Sequence, residues 1–342
     1  MLRIGVVGYG TGGRHFHAPF IEAAEGCTLA GIVARAPATI ARVRADFPDL
    51  PVYSSLAEMA ASGKVDAVSI TTPPETRREL VLEAVAAGLH VVADKPFAPD
   101  AVGAADLGQA AQEAGVTLAA FHNRRFDSDY LTLKAVARSG GVGQLWRFHS
   151  RMDFDEPETL EPGPTGGLLR DLGSHLCDQA LDLMGPVEAV DCHFDIAALP
   201  EGPTDAGFVL QLHHAGGAMT VLEASKLNKL RLKGYRLYGA LGSYVAESTD
   251  VQAQDIFAGK RPVADPAGWG FEPECHWGTL RNADGERRVP SVQGSYVRYY
   301  EAFARAAAAG TPPPVTAAEA TAVLAVLDAA RISATEGRRV TL

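Results

Sequence analysis

Arg3-Ile4-Gly5-Val6-Val7-Gly8-Tyr9-Gly10-Thr11-Gly12-Gly13 is the stretch on which the reading of this chain turns. An apolar run of strand type ends in Gly8-x-Gly10-x-x-Gly13 and leads into a segment able to open a helix. In a dinucleotide site the first glycine allows a tight turn and the second lets the backbone approach a pyrophosphate. The third lets the helix sit close to the strand. Free N–H groups and the positive end of the helix dipole then hold the pyrophosphate. The chain has 35 glycines, so a Gly-rich turn in some other α/β domain is the competing reading. The position of the motif directly behind a first strand favours the nucleotide.

A carboxylate for the adenosine ribose is expected about 20 residues further on. The second strand reads Leu29-Ala30-Gly31-Ile32-Val33 and ends at Ala34-Arg35, with no Asp or Glu there. The planar fork of Arg35 suits a 2′-phosphate, which favours NADP over NAD. The bland alternative is a solvated loop arginine, or one stacked on the adenine.

Working outward, strands and helices alternate. Val52-Tyr53-Ser54 is a short strand, with Ser54 or Ser55 capping a helix over Leu56–Ala61. Val65–Thr71 is a strand of the buried parallel kind, broken by Pro73-Pro74. Helix Glu75–Ala87, strand His90–Ala93, helix Ala101–Ala114 and strand Val116–Phe121 follow. Six strands before residue 123, separated by helices, predict a doubly wound parallel sheet, an α/β Rossmann domain over 1–122. The pattern then changes. After a helix over Ser128–Ser139, Leu145–Asp153 is strand-like and Leu168–Met184 helical. Strands are expected at Ala189–Phe194, Phe208–His213, Met219–Ala224, Tyr235–Tyr238 and Tyr244–Ala246. This predicts a second α+β domain over 123–342 with a mostly antiparallel open sheet and a helix on one face. Residues Asp250–Pro290 are weakly periodic and read as a long covering loop. Helices Tyr296–Ala309 and Ala317–Ala334 close the chain, the last with a Thr316/Glu319 capping box, and they could pack back on the first domain.

Bulk properties agree. A length of 342 residues suggests two domains, and 47% apolar with 21% charged residues is an ordinary globular balance. A net charge of −10 argues against nucleic-acid or anionic-membrane surfaces. With no signal peptide and no run of 18 apolar residues, a cytoplasmic protein is expected. Cys27, Cys177, Cys192 and Cys275 lack metal spacing and read as buried, reduced thiols. His213-His214 and His276 have no partner spacing, so no metal site is expected.

Three constellations carry chemistry. Asp94-Lys95-Pro96 follows a parallel strand, where open α/β sheets bind their ligands, and a Lys before Pro is held extended. Alone, Lys95 is equally a surface lysine in a βα loop. Asp171-Leu172-Gly173-Ser174-His175-Leu176-Cys177-Asp178 would place Asp171, His175 and Asp178 at i, i+4 and i+7 of one helix. A carboxylate beside an imidazole fixes its tautomer and raises its basicity, as alcohol oxidation needs. Asp178 is read as a helix-surface charge. His122-Asn123-Arg124-Arg125 is either a cleft wall between domains or a solvated charge run. His15 and His17 follow the glycine turn, where one could meet the cofactor or substrate; scattered histidines of this kind are more often structural.

Gly8–Gly13, Asp94-Lys95-Pro96 and Asp171-x-Gly173-x-His175 occur in the order and spacing of the Gfo/Idh/MocA oxidoreductases, which the chain resembles over essentially its whole length. These are two-domain NAD(P)-dependent dehydrogenases of sugars, inositols and related polyols. Asn123-Arg124-Arg125-Phe126-Asp127-Ser128-Asp129 and Asp265-Pro266-Ala267-Gly268-Trp269-Gly270 look most like the branch of NADP-dependent scyllo-inositol dehydrogenases. The resemblance implies that Lys95 bonds the reacting oxygen, His175 is the acid/base, Asp171 partners both, and Lys95-Pro96 is a cis peptide. On this reading the cofactor, NADP or NAD, contacts Gly8, Tyr9, Gly10, Thr11, Gly12, Gly13, Ala34, Arg35, Thr71, Thr72, Pro73, Asp94, Lys95 and Asn123. A polyol or sugar meets Lys95, Arg124, Arg151, Asp153, Asp171 and His175. Two departures stand out: Asp94 replaces the usual Glu, and Arg77 stands where a His often follows the Thr-Pro turn. A non-catalytic NAD(P)-binding sensor or corepressor and an NAD-dependent glycosidase are the rival functions. A homodimer, or a tetramer, is expected from the open sheet face.

Overall fold

The computed structural model describes residues 1–162, 166–229, 231–247 and 249–342. The chain forms two compact units, one of residues 1–123, 252–269 and 295–321 and the other of 124–251, 270–294 and 322–342.

The first unit is built on β1 (Leu2–Val7), α1 (Ala18–Ala23), β2 (Cys27–Val33), α2 (Pro37–Asp46), β3 (Val52–Tyr53), α3 (Leu56–Ala61), β4 (Ala67–Ile70), α4 (Pro74–Ala86), β5 (His90–Asp94), α5 (Ala101–Glu113) and β6 (Leu118–Phe121). The six strands pair in the order β3-β2-β1-β4-β5-β6, all parallel. That order reverses direction between β1 and β4, where a doubly wound sheet opens a crevice at its carboxyl edge. The strands are largely apolar because both sheet faces are covered: every residue of β4 and β6 is buried. Ser55 is the cap of α3, accepting from the Glu58 N–H at 3.1 Å, while Ser54 bonds the Glu58 carboxylate. Asp100 caps α5 through the Gly103 N–H at 2.7 Å.

In the second unit α6 (Ser128–Arg138), β7 (Leu145–Asp153), α7 (Ser174–Met184), β8 (Val187–Leu199), β9 (Gly202–His214), β10 (Met219–Ser225), β11 (Lys233–Gly239), β12 (Gly242–Glu247), β13 (Thr279–Asn282), β14 (Gly285–Arg288) and β15 (Val340–Thr341) make a nine-stranded sheet with helices. Its order is β14-β13-β12-β11-β7-β10-β9-β8-β15, antiparallel except for the central β7–β10 pair. Alternation sets the layers: Phe148, Ser150 and Met152 of β7 and Leu222 and Ala224 of β10 are buried, and α7 packs on these two strands. α8 (Val251–Phe257), α9 (Val297–Ala309) and α10 (Ala317–Glu336) complete the set. The Thr316/Glu319 capping box forms, with the Glu319 N–H donating to Thr316 Oγ1 at 3.2 Å and the Thr316 N–H to Glu319 Oε2 at 2.8 Å.

Four expectations are corrected. The segment Asp250–Pro290 is not one loop; it contains α8 and the β13–β14 hairpin, whose Asn282-Ala283-Asp284-Gly285 turn brackets strands too short and polar to show a period. The hairpin β8–β9 runs about twice the expected length, with Gly202 and Pro203 themselves inside the paired strand. Helix Leu168–Met184 is not uniform: Leu169–Gly173 is a π-helical turn that precedes α7. Cys275 is exposed and Cys192 half-buried, while Cys27 and Cys177 are buried; all four are free.

The former loop is pinned in part by Glu272. Its carboxyl is 7% exposed and accepts the Thr249 hydroxyl. Burial pushes it up from 4.5 to about 7; the Thr249 bond opposes this and Asp127 adds to it. The fold therefore favours the protonated form, and the ionised group lowers stability progressively as pH rises from 4.5 to about 7. Glu272→Gln should raise unfolding free energy at pH 8 by on the order of 3 kcal/mol and have no such effect at pH 4.5. Urea unfolding at the two pH values checks this; an equal effect at both would contradict it.

Candidate active site

The glycine turn after β1 gives each glycine a distinct task. Gly8 has φ +96°, which a residue with a Cβ rarely adopts. A Cβ on Gly13 would lie 2.2 Å from the Gly8 carbonyl oxygen and 2.8 Å from Thr71 Oγ1, so the helical segment can pack here only without a side chain. A Cβ on Gly10 would meet nothing within 4 Å. This open backbone is the place at which a pyrophosphate could approach. The segment that follows, Gly12–His17, is a π-helix that continues into α1. Tyr9 is buried, and its hydroxyl donates to Asp46 Oδ2 at 2.9 Å, where Arg14 also makes two bonds. Thr11 is exposed. Thr71 Oγ1 donates to the Gly8 carbonyl at 2.9 Å, which ties the β4 turn to the β1 turn. β2 ends at buried Ala34 and exposed Arg35, with no carboxylate in either position. The turn thus fits a dinucleotide, and its adenosine end fits an added 2′-phosphate.

Asp94-Lys95 closes β5 on the same carboxyl edge. The Lys95 N–H donates to Asp94 Oδ1 at 2.8 Å, and Lys95-Pro96 is a cis peptide. A Cβ on Gly12 would stand 2.9 Å from Asp94 Oδ2, so this fourth glycine leaves room for the carboxylate beside the turn. Arg77, whose place in the sequence looked like a departure, is buried and donates to the Pro96 carbonyl and, at 2.6 Å, to the Thr72 carbonyl. It clamps the turns after β4 and β5, including Thr72-Pro73, to one another. No local pattern announces that role, because both acceptors are backbone. Asn123 is buried at the start of the 3₁₀ turn Asn123–Phe126.

The second unit places its candidates around the open ends of β7 and β10. Asp171 lies in the π-helical turn and His175 in the first turn of α7, 7% exposed. The wider π turn means that Asp171, His175 and Asp178 do not form the regular α-helical stripe expected. Asp178 is not a surface charge: it is 1% exposed and takes a bidentate bond from Arg125, with Nη2 2.7 Å from Oδ1. Arg125 is buried and its guanidinium is bonded to Asp178, so this part of the 122–125 run is not a solvated charge run. Arg124 donates to Asp250 at 2.8 Å and Asp127 at 3.3 Å. Lys226, missed in the sequence because it follows a strand without a motif, is 8% exposed and donates to Asp171 Oδ2 at 3.0 Å. Asp153 is buried and bonded by Arg151 at 2.5 Å and by Asn228 at 3.0 Å. Alternation along β7 puts Arg151 on the face opposite Ser150 and Met152, where it also approaches Glu223 at 3.6 Å. Asp171, His175 and Lys226 are thus grouped on the α7 side of the sheet, and Arg151 is not brought to them.

Comparison with known proteins accords with both units. Residues 2–122 match the model of the oxidoreductase family with NAD-binding Rossmann fold, and residues 130–245 match the GFO/IDH/MocA C-terminal domain. A scyllo-inositol 2-dehydrogenase (NADP(+)) of Bacillus subtilis is 31% identical over 350 residues, covering 100% of this chain and 96% of the relative. The chain belongs to the Gfo/Idh/MocA oxidoreductase family. An inositol 2-dehydrogenase of Streptomyces avermitilis is 30% identical over 229 residues, 65% of each chain. A solved oxidoreductase structure from Bacillus subtilis superimposes with a TM-score of 0.92 at 30% identity, covering 100% of this chain and 98% of that one. As a Gfo/Idh/MocA member the chain is an NAD(P)-dependent oxidoreductase that acts on CH–OH groups, carried by a Rossmann domain and a mostly antiparallel sheet domain.

The second and third glycines of the motif in this Gfo/Idh/MocA turn should separate on substitution. Gly10→Ala should leave the unfolding transition unchanged and weaken NADPH binding by about 10-fold or more, because the methyl group occupies only the approach path. Gly13→Ala should cost about 2 kcal/mol or more of stability, because its methyl group meets backbone. Fluorescence titration and urea unfolding of both variants test this; an unstable Gly10→Ala with normal affinity would reverse the assignment.

Proposed function

We propose that this protein is an NADP-preferring dehydrogenase or ketoreductase of a cyclic polyol or sugar, with Lys95, His175 and Asp171 as its working residues. The observation that carries the reading is Lys95 at the carboxyl end of β5, on the edge of the sheet that bears the open backbone at Gly10. The exposed guanidinium of Arg35 at the end of β2 supports NADP, and the Bacillus relative is named for that cofactor and for scyllo-inositol.

When bound, the nicotinamide supplies a hydride acceptor or donor. In oxidation His175 takes the hydroxyl proton of a secondary alcohol, and the Lys95 ammonium stabilises the developing alkoxide as the hydride leaves its carbon. In reduction His175 returns the proton to the alkoxide. Asp171, itself held by Lys226, orients a substrate hydroxyl and the imidazole. The nine-stranded sheet has one face covered by α7, and exposed Val209 and Val245 lie on strands of that sheet; this supports a homodimer. No helix among the described residues is long and apolar enough to cross a membrane, which accords with the cytoplasmic setting we propose.

Absorbance at 340 nm tests the activity, with NADP⁺ or NAD⁺ for inositols and hexoses and with NADPH or NADH for their keto forms; no absorbance change with any pair would overturn the reading. Lys95→Ala and His175→Ala should each lower kcat by roughly 100-fold with NADPH affinity unchanged. Arg35→Ala should weaken NADPH by about 10-fold and leave NADH unaffected.

A further inference from the structure

Behind Asp94, within the nucleotide unit, lies a buried polar cluster that the proposed chemistry does not use. His17 ends the π-helix and is 0% exposed, as are Ser69 on β4 and Tyr300 on α9. His17 Nδ1 is 2.6 Å from Tyr300 Oη and 2.6 Å from Ser69 Oγ, and the two hydroxyls are 3.1 Å apart. The other ring nitrogen, Nε2, has no hydrogen-bond partner within normal distance among the described residues and faces Asp94 Oδ2 at 3.7 Å. The ring lies against Phe121 with centroids 4.0 Å apart, which restrains its rotation.

The carboxylate that faces Nε2 decides which tautomer this cluster holds. Burial holds the Tyr300 phenol well above its ordinary range, so it keeps a proton to give. With Ser69 there are two hydroxyl protons for three mutually close acceptors. Donation from either hydroxyl into Nδ1 puts the ring proton on Nε2, whereas Nδ1 donating into the two hydroxyls would make as many bonds and leave Nε2 bare. The Asp94 carboxylate discriminates: the second tautomer would turn a bare lone pair toward Oδ2, so the ring proton is assigned to Nε2. The cluster cannot conduct protons to water, since its far end is two fully buried hydroxyls. It is a fixed donor.

We propose that His17 is a positioning residue: held through Nδ1 by Ser69 and Tyr300, it turns an Nε2 proton toward Asp94 Oδ2 at 3.7 Å, and this electrostatic attraction, longer than a hydrogen bond, orients the carboxylate that sets the place of Lys95. The two carboxylate oxygens divide the work, Oδ1 accepting the Lys95 N–H at 2.8 Å and Oδ2 facing His17 across the notch left by Gly12. Burial works to raise the Asp94 carboxyl, but the polar and charged groups around it, His17, Arg77 and Lys95, outweigh this and hold it below its ordinary range, so the group facing Lys95 is an anion. The inference rests on the proposed role of Lys95 in turnover.

Two arms test it. In the protein labelled with ¹⁵N-histidine, two-bond ring correlations of His17, assigned by their loss in His17→Phe, should show a proton on Nε2. A bare Nε2 would overturn the proposal whether or not turnover is seen. In the second arm, kcat is measured with NADP⁺ and scyllo-inositol for His17→Phe, His17→Gln and Lys95→Ala. Phenylalanine keeps the ring against Phe121 and removes the donor; it should lower kcat by about 10- to 100-fold while NADPH affinity stays unchanged. Glutamine places an amide N–H near the position of Nε2 and should restore part of the loss, which a role in packing alone would not produce. Wild-type kcat in His17→Phe beside an inactive Lys95→Ala would overturn the inference and leave the proposed function standing. Full activity in Lys95→Ala, or a wild-type protein inert toward every polyol, sugar and keto form of the absorbance screen, would count against the proposed function, and the ring spectrum would still decide where the His17 proton sits.

Discussion

The nucleotide unit depends on a backbone approach that no side chain could permit. Gly13 sits so close to the Gly8 carbonyl that a Cβ would come within 2.2 Å of it. Because the π-helical segment is pressed against the first turn in this way, Gly12 opens a notch for Asp94, and Thr71 can reach back to the Gly8 carbonyl. Asp94 then fixes the Lys95 amide, and Arg77 ties the next turn to the one after β4. One steric requirement is therefore passed along the carboxyl edge of three strands until it reaches the group proposed to touch the reacting oxygen. A methyl group at Gly13 would disturb each link in turn.

The sheet unit uses charge instead of close backbone packing. Arg125 with Asp178, Arg124 with Asp250 and Lys226 with Asp171 are ion pairs with little exposure on at least one side. Pairs of this kind contribute little net stability, since desolvation opposes attraction; breaking one leaves a buried charge and is costly. Their value here is orientation. Arg125 and Asp178 hold the start of α6 to α7, and Lys226 holds Asp171 on the turn just before His175. The residue proposed to move a proton is thus carried on a helix whose flanks are tied by charge.

Much of this was legible in the chain itself. A period-free apolar strand followed by Gly8-x-Gly10-x-x-Gly13 reports a local backbone need, and alternating strands and helices report a parallel sheet. Both signals are short-range, and both elements lie where they were expected. What stayed hidden was long-range or irregular. Asp178 looked like a surface charge because its partner Arg125 is 53 residues away. Arg77 acts on two carbonyls that carry no sequence signature. The π-helical turn over Leu169–Gly173 defeats any count based on 3.6 residues per turn, so the Asp171–His175–Asp178 stripe was drawn too regularly. The β13–β14 hairpin, four residues per strand and mostly exposed in β14, offers no apolar alternation to read.

The proposed function assigns Lys95 and His175 to one chemical step. A double-mutant cycle on kcat, comparing Lys95→Ala, His175→Ala and the double variant with the wild type, tests it most directly. Groups that act together in one transition state lose their effect together, so the double variant should be about as slow as the slower single one. Losses that multiply would mean that the two residues act independently, and would contradict the account.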